Sequence, residues 1–109
     1  MEKYQINIAK DFSDTLGGRF KKLGPSSGEE FYEEILEKKF LLAKNKEEKL
    51  HVYLDGAKGY GSSFLDESFG KLAREYGVDI VLETIVFHTE NFKRNVKYIQ
   101  EMIWDINND

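Results

Sequence analysis

The sequence predicts an α/β fold, a mixed β-sheet packed against helices, with elements in the order β-β-α-β-α-β-α. Three observations carry that prediction. Short stretches such as Tyr4-Gln5-Ile6-Asn7-Ile8 alternate apolar and polar residues with the two-residue period of a half-buried strand. Longer stretches repeat apolar residues every three to four positions, the period of an amphipathic helix. The two patterns take turns along the chain, which implies a largely parallel or mixed sheet joined by right-handed crossovers.

The first strand is expected over residues 3–8. Turn-forming residues from Asp11 to Gly18 follow it, and Arg19 to Leu23 reads as a short second strand that Gly24-Pro25 stops, giving an irregular hairpin-like opening. Ser27-Gly28-Glu29-Glu30 has the spacing of a capping box, so a helix should begin there, with Phe31, Ile35, Leu36 and Phe40 on its buried side. The run Lys44-Asn45-Lys46 supplies cations at that helix's carboxyl end and an asparagine suited to a left-handed terminator, with a solvated link from Lys46 to Lys49.

Leu50, Val52 and Leu54 mark the next strand, and Asp55 to Gly61 leaves its end as a glycine-rich loop. A second helix starts near Ser62 or Ser63, with Leu65, Phe69, Leu72, Ala73 and Tyr76 buried and Gly77 at its end. Gly70 within this helix is read as allowing a close approach to the sheet. The apolar, β-branched run from Val78 to Phe87 reads as a central strand covered on both faces. From Glu90 to about residue 108, Phe92, Val96, Ile99, Ile103 and Ile106 define a last amphipathic helix.

At 109 residues the chain has the length of one domain, taken as residues 1–109. It has no cysteine, which removes disulfides, thiolate metal sites and cysteine nucleophiles and fits a reducing compartment, so a cytoplasmic location is expected. The first twenty residues lack the apolar core of a signal peptide, and no membrane-spanning stretch is expected. The net charge of −4, with Lys and Arg interspersed among Asp and Glu, argues against a nucleic-acid partner.

In open α/β sheets ligands and partners meet the carboxyl edge of the strands, so the segment from Asp55 to Glu67 is the first candidate site. Glycines and serines ahead of a helix offer free backbone amides and the positive end of a helix dipole, a setting for an anion. Gly56 to Ser63 has the length of a phosphate-binding loop, yet Ser62 stands where its lysine belongs, and Gly59-Tyr60-Gly61 lacks the third glycine of a dinucleotide fingerprint. Ser63 with Asp66 reads as a helix cap, leaving Ser62 exposed ahead of it. Asp66 and Glu67 are adjacent in a helix and point about 100° apart, too divergent to flank one substrate.

Arg19, with Lys21 and Lys22, is the basic cluster nearest a glycine pair and could meet an anion or an acidic partner, although a solvated strand face explains it. His51 and His88 lie near strand ends with no acid at a metal-ligand spacing and read as structural. A hydrolase would require one of them to approach Ser62, and no Gly-x-Ser-x-Gly elbow is present.

With Gly59 to Gly70 in view, together with Phe12-Ser13, Gly17-Gly18-Arg19 and Ser27-Gly28-Glu29-Glu30-Phe31, the chain resembles the STAS-like domain family of unknown function over about residues 4–86. That family looks like a branch of the STAS domains of sulfate transporters and anti-sigma factor antagonists. The resemblance implies a mixed sheet with helices packed against it and a non-enzymatic regulatory module that needs no cofactor. In the antagonists a serine in the loop after a strand is phosphorylated by a partner that is both anti-sigma factor and kinase. Aligning the serine pairs makes Ser62 the implied phosphoacceptor, with Gly61 in place of an acidic residue and Phe64 in place of a glycine.

The implied partner is a protein, an anti-sigma-type component with a histidine-kinase-type ATP-binding domain, docking on Asp55, Gly59, Tyr60, Gly61, Ser62, Ser63, Asp66, Glu67 and Arg19. No metal, membrane or nucleic-acid role is implied. The alternative reading is a small-ligand or nucleotide domain that holds an anionic group on the amides of the glycine-rich loop 56–63.

Overall fold

The computed structural model describes residues 3–106. Three strands, β1 (Tyr4–Asn7), β2 (Leu50–Tyr53) and β3 (Ile85–His88), form one sheet in the order β1-β2-β3. Both pairings are parallel, with Ile6 opposite Val52 and Val52 opposite Phe87. The helices are α1 (Ile8–Asp11), α2 (28–45), α3 (62–76), α4 (Val78–Thr84) and α5 (93–106). α2, α3 and α5 each contain one π turn, at Tyr32–Leu36, Asp66–Gly70 and Ile99–Ile103, and the π turn of α3 packs between the other two. No helix of the described residues is long and apolar enough to cross a membrane.

Strand β1 is cut short because the Asn7 side chain accepts the Lys10 amide (3.2 Å) and caps α1, so Ile8 belongs to a helical turn. The capping box forms as the sequence predicts: Ser27, fully buried, accepts the Glu30 amide at 3.1 Å. Glu30 in return reaches one residue further than expected, accepting the Ser26 amide at 3.0 Å. At the other end of α2 the left-handed residue is Glu47 (φ 56°) rather than Asn45, which is still helical. Gly77, at φ 95°, terminates α3 and donates its amide to Ala73 (2.8 Å).

One expected strand is absent and another is cut short. Residues 19–23 are not a strand and there is no hairpin: Lys21–Leu23 is a 3-10 turn, with Leu23 donating to the Phe20 carbonyl (3.0 Å). The segment serves α2 instead, because the carbonyls of Gly18 and Arg19 accept the amides of Gly28 and Glu29 (2.9 and 3.0 Å), two of the donors a helix start leaves free. The run from Val78 to Phe87 is divided, with α4 taking its first seven residues and β3 only the rest. Val78, Val81 and Ile85 are buried while Ile80 and Leu82 are exposed, a helical spacing that a continuous apolar run conceals. β3 is therefore an edge strand, and β2 is central.

The core joins Ile6, Leu50 and Val52 of the sheet to Phe31, Leu36, Phe40, Phe64, Phe69 and Leu72 of the helices, all fully buried. Phe31 stacks on Phe64 (5.6 Å between ring centroids) and tilts against Phe69 (6.0 Å), so α2 and α3 are held by aromatic packing. Trp104 pins α5 to α3 by donating its indole N–H to the Phe69 carbonyl (3.0 Å). Gly70 gives a close approach to α5 rather than to the sheet, since a Cβ there would stand 3.0 Å from Ile103 Cγ2. The last two residues expected in that helix, 107 and 108, lie outside the described residues.

Candidate functional site

The rim at the amino end of α3 is built by the loop that leaves β2. Asp55, just past the strand, accepts hydrogen bonds from Thr89 Oγ1 (2.6 Å) and from the amides of Glu90 (2.9 Å) and Asn91 (3.2 Å). These bonds, that of Thr89 foremost, hold its carboxyl below the usual carboxylate range and tie the β2 exit to the turn before α5. Gly56, at φ 103°, turns the chain in a conformation that side chains disfavour. Lys58 then donates its amide to the Asp14 carbonyl (2.8 Å).

Tyr60 anchors the loop. Its ring is buried edge-on against Phe92 (4.9 Å), and its hydroxyl donates to the Leu54 carbonyl (2.7 Å), so burial raises its pKa and keeps the phenol protonated. Gly59 and Gly61 flank it in the open. Gly61 is the N-cap of α3, in extended conformation and with no side chain to bond the helix amides. Ser63 and Asp66 do not form the expected cap, because the N-cap is Gly61, two residues earlier, and the helix already begins at Ser62.

Ser62 is exposed and is the first residue of α3, while Ser63 is half-buried and Phe64 fully buried. The first intrahelical bond runs from Leu65 N–H to the Gly61 carbonyl (3.1 Å), so the amides of Ser62, Ser63 and Phe64 precede the helical ladder. One turn along α3, Asp66 accepts from Arg19 Nη1 (2.6 Å) and Arg74 Nη1 (3.1 Å). Burial pushes the Asp66 carboxyl up, but the two guanidinium groups outweigh it and hold it below the carboxylate range. Glu67 lies 3.7 Å from the same Arg19, whose own pKa is raised chiefly by its bond to Asp66. Arg19 is thus a link between the 17–26 loop and α3, not part of a solvated strand face. Lys21, beside it, pairs with Glu33.

The structure therefore gathers Gly59 to Glu67 and Arg19 on one rim and commits Asp55 and Tyr60 to holding it. The two histidines bond each other, His51 Nδ1 to His88 Nε2 at 2.8 Å, and among the described residues no hydrogen bond joins either to Ser62. Sequence reasoning missed Arg74, whose link to Asp66 was available as an i, i+8 spacing on one helix face, and missed the histidine contact, which needs the strand order.

Fold and rim together define a small parallel α/β domain whose exposed strand–loop–helix edge carries a serine at a helix start. The chain belongs to the family described as a STAS-like domain of unknown function (DUF4325), whose model matches residues 27–93. The match opens on the Ser27 cap and closes at the start of α5, so it takes in the whole rim except Arg19. The segments at Phe12-Ser13 and Gly17-Gly18-Arg19 fall outside it. Comparison with curated proteins and with solved structures gave no match.

Proposed function

We propose that this chain is a non-enzymatic regulatory module akin to an anti-sigma factor antagonist, which docks a kinase- or ATPase-type protein through the 55–67 rim and is switched by phosphorylation of Ser62. The observation that carries the reading is the setting of Ser62, exposed at the first position of a long helix with a glycine before it. A phosphoryl group there adds about 1.5 to 2 negative charges beside free amides and the positive end of the helix dipole. Phe64, the residue that departs from the antagonist pattern, is fully buried against Phe31, so it fixes the helix start without covering the serine.

The same phosphate sits one helical turn from Asp66 and competes with it for Arg19. Phosphorylation then has a route from the rim to the 17–26 loop, which Arg19 fastens to α3. The partner senses both the new charge and the loosened loop.

The test is intact mass with peptide mapping of residues 62 and 63 on protein purified from its native host, together with whatever co-purifies. A phosphoryl-sized increment on Ser62 and an ATP-binding protein in the same fraction are expected. An unmodified Ser62, combined with Ser62→Ala and Ser62→Asp variants that hold the co-purifying partner as the wild type does, overturns the switch.

A further inference from the structure

The two edges of the sheet are finished differently. At β1 the Asn7 amide, not paired to β2, is taken by the Asp11 carboxylate of α1 (2.7 Å), a charge that closes that edge to another strand. At β3 the Leu54 amide donates to the His88 carbonyl (3.1 Å), so the backbone groups of His88 and, two residues back, of Val86 point to β2. Alternation turns the N–H and C=O of Phe87 outward, and among the described residues nothing bonds them. The strand Ile85-Val86-Phe87-His88 carries no lysine, carboxylate or proline, the residues that keep a bare edge from pairing.

The surface beside that edge is apolar. Phe87, whose ring packs on Phe69 and Trp104, and Val86 both remain partly exposed. In α4, Ile80 lines a cavity with Lys44 and Glu47 at the carboxyl end of α2, on the inner side of the edge. Leu82 lies about 160° around the helix from Ile80. It therefore stands on the outer side, 49% exposed.

We infer that the free edge of β3 pairs antiparallel with β3 of a second copy of this chain, about a two-fold axis at Phe87, joining the two sheets into one. The edge is complementary to itself. Phe87 of each copy donates its amide to the Phe87 carbonyl of the other. The Ile85 carbonyl, whose own amide is given to Val81, accepts the Thr89 amide of the second copy at each end. Val86 stands opposite His88 of the second copy on the open face of the sheet, so no like charges are opposed.

Charge selects the antiparallel mate. The entry to β3, residues 79–84, carries the exposed carboxylates Asp79 and Glu83 and no cation. The exit, residues 90–97, carries Lys93, Arg94 and Lys97 against Glu90 alone. A two-fold lays the entry of one copy beside the exit of the other, acid beside base at both ends, whereas a parallel mate sets each beside its like. The contact uses no residue of the 55–67 rim and leaves the reading of Ser62 independent of it.

A pairing of strands this short belongs to the small, weak class of interfaces, so the dimer should grow in with concentration. The experiment is sedimentation equilibrium of the full chain from about 10 μM to 1 mM, with amide hydrogen exchange read residue by residue at both ends of that range. A monomer–dimer equilibrium is expected, with the Phe87 amide protected about tenfold or more at the higher concentration and that of Gln5, on the far edge, unchanged. Val86→Lys and Leu82→Glu should each weaken self-association about tenfold or more, with thermal melting showing that the variants stay folded. A monomer throughout the range, or a dimer in which Phe87 exchanges as freely as in the monomer, overturns the pairing. So does protection of Phe87 only when another protein is added, which gives the edge to that protein's strand. The wild-type exchange decides the matter even if a variant fails to fold.

Discussion

Replacing Gly28 by alanine tests how closely α2 and α3 approach beneath the rim. Gly28 is buried at the first position of α2, and a Cβ there would stand 2.6 Å from the Phe64 carbonyl oxygen, 3.1 Å from Phe64 Cα and 3.2 Å from Glu67 Cβ. Two of those three atoms are backbone and cannot rotate away, so the helices must separate by several tenths of an ångström. That motion disturbs the Phe31–Phe64 stack and the bond from Ser68 Oγ to the Phe64 carbonyl (2.7 Å). Overpacking of this kind costs about 1 to 3 kcal/mol, partly offset by the gain of up to about 1 kcal/mol of alanine over glycine in a helix.

The net loss of about 1 to 2 kcal/mol should lower the melting temperature by roughly 4 to 15 °C in a domain of this size. Urea denaturation gives the same quantity, with the midpoint moving and the slope unchanged. Gly59→Ala is the control, because a Cβ there meets nothing within 4 Å. If Gly28→Ala melts at or above the wild type while Gly59→Ala is neutral, the two helices do not meet as described, and the argument that Phe64 fixes the rim fails with it.

Two predictions concern titration. The Asp66 carboxyl is depressed in the folded state, so its stabilisation is complete above the unfolded value of about 3.9 and is lost as the pH falls toward the folded value. Asp66→Asn should therefore be less stable at neutral pH and show a shallower acid limb in a denaturation series from pH 6 to about 2; identical limbs would remove the Arg19–Asp66–Arg74 network from the account. Glu37 accepts the hydroxyls of Tyr76 (2.8 Å) and Tyr32 (3.1 Å), and that hydrogen bond foremost, then burial and the Glu37 charge, push Tyr76 up to about 12. That raised value contributes stability present below about pH 10, the unfolded range, and lost above it. Ultraviolet titration of Glu37→Gln should bring Tyr76 back toward the ordinary tyrosine range, and an unchanged curve would sink the assignment.

What the chain encodes locally was legible in it. The Ser27–Glu30 cap, the end of α3 at Gly77 and the exposed serine at a helix start each depend on hydrogen bonds spanning four residues or fewer, so the residues that make them stand side by side in sequence. The α/β class followed from the two periods for the same reason. The Val78 to Phe87 run was misread because an unbroken apolar stretch serves a covered strand and a buried helix equally well, and only packing against neighbours left Ile80 and Leu82 outside.

Of the candidate site, the sequence by itself determined the rim from Asp55 to Glu67, because glycines and serines at the end of a strand have a local conformational meaning. Tertiary structure alone decided that Arg19 reaches Asp66 across 47 residues and that His51 and His88 touch across 37. Those contacts follow from strand order, register and the path of a loop. Each is set by burial summed over the whole core, and no spacing along the chain records it.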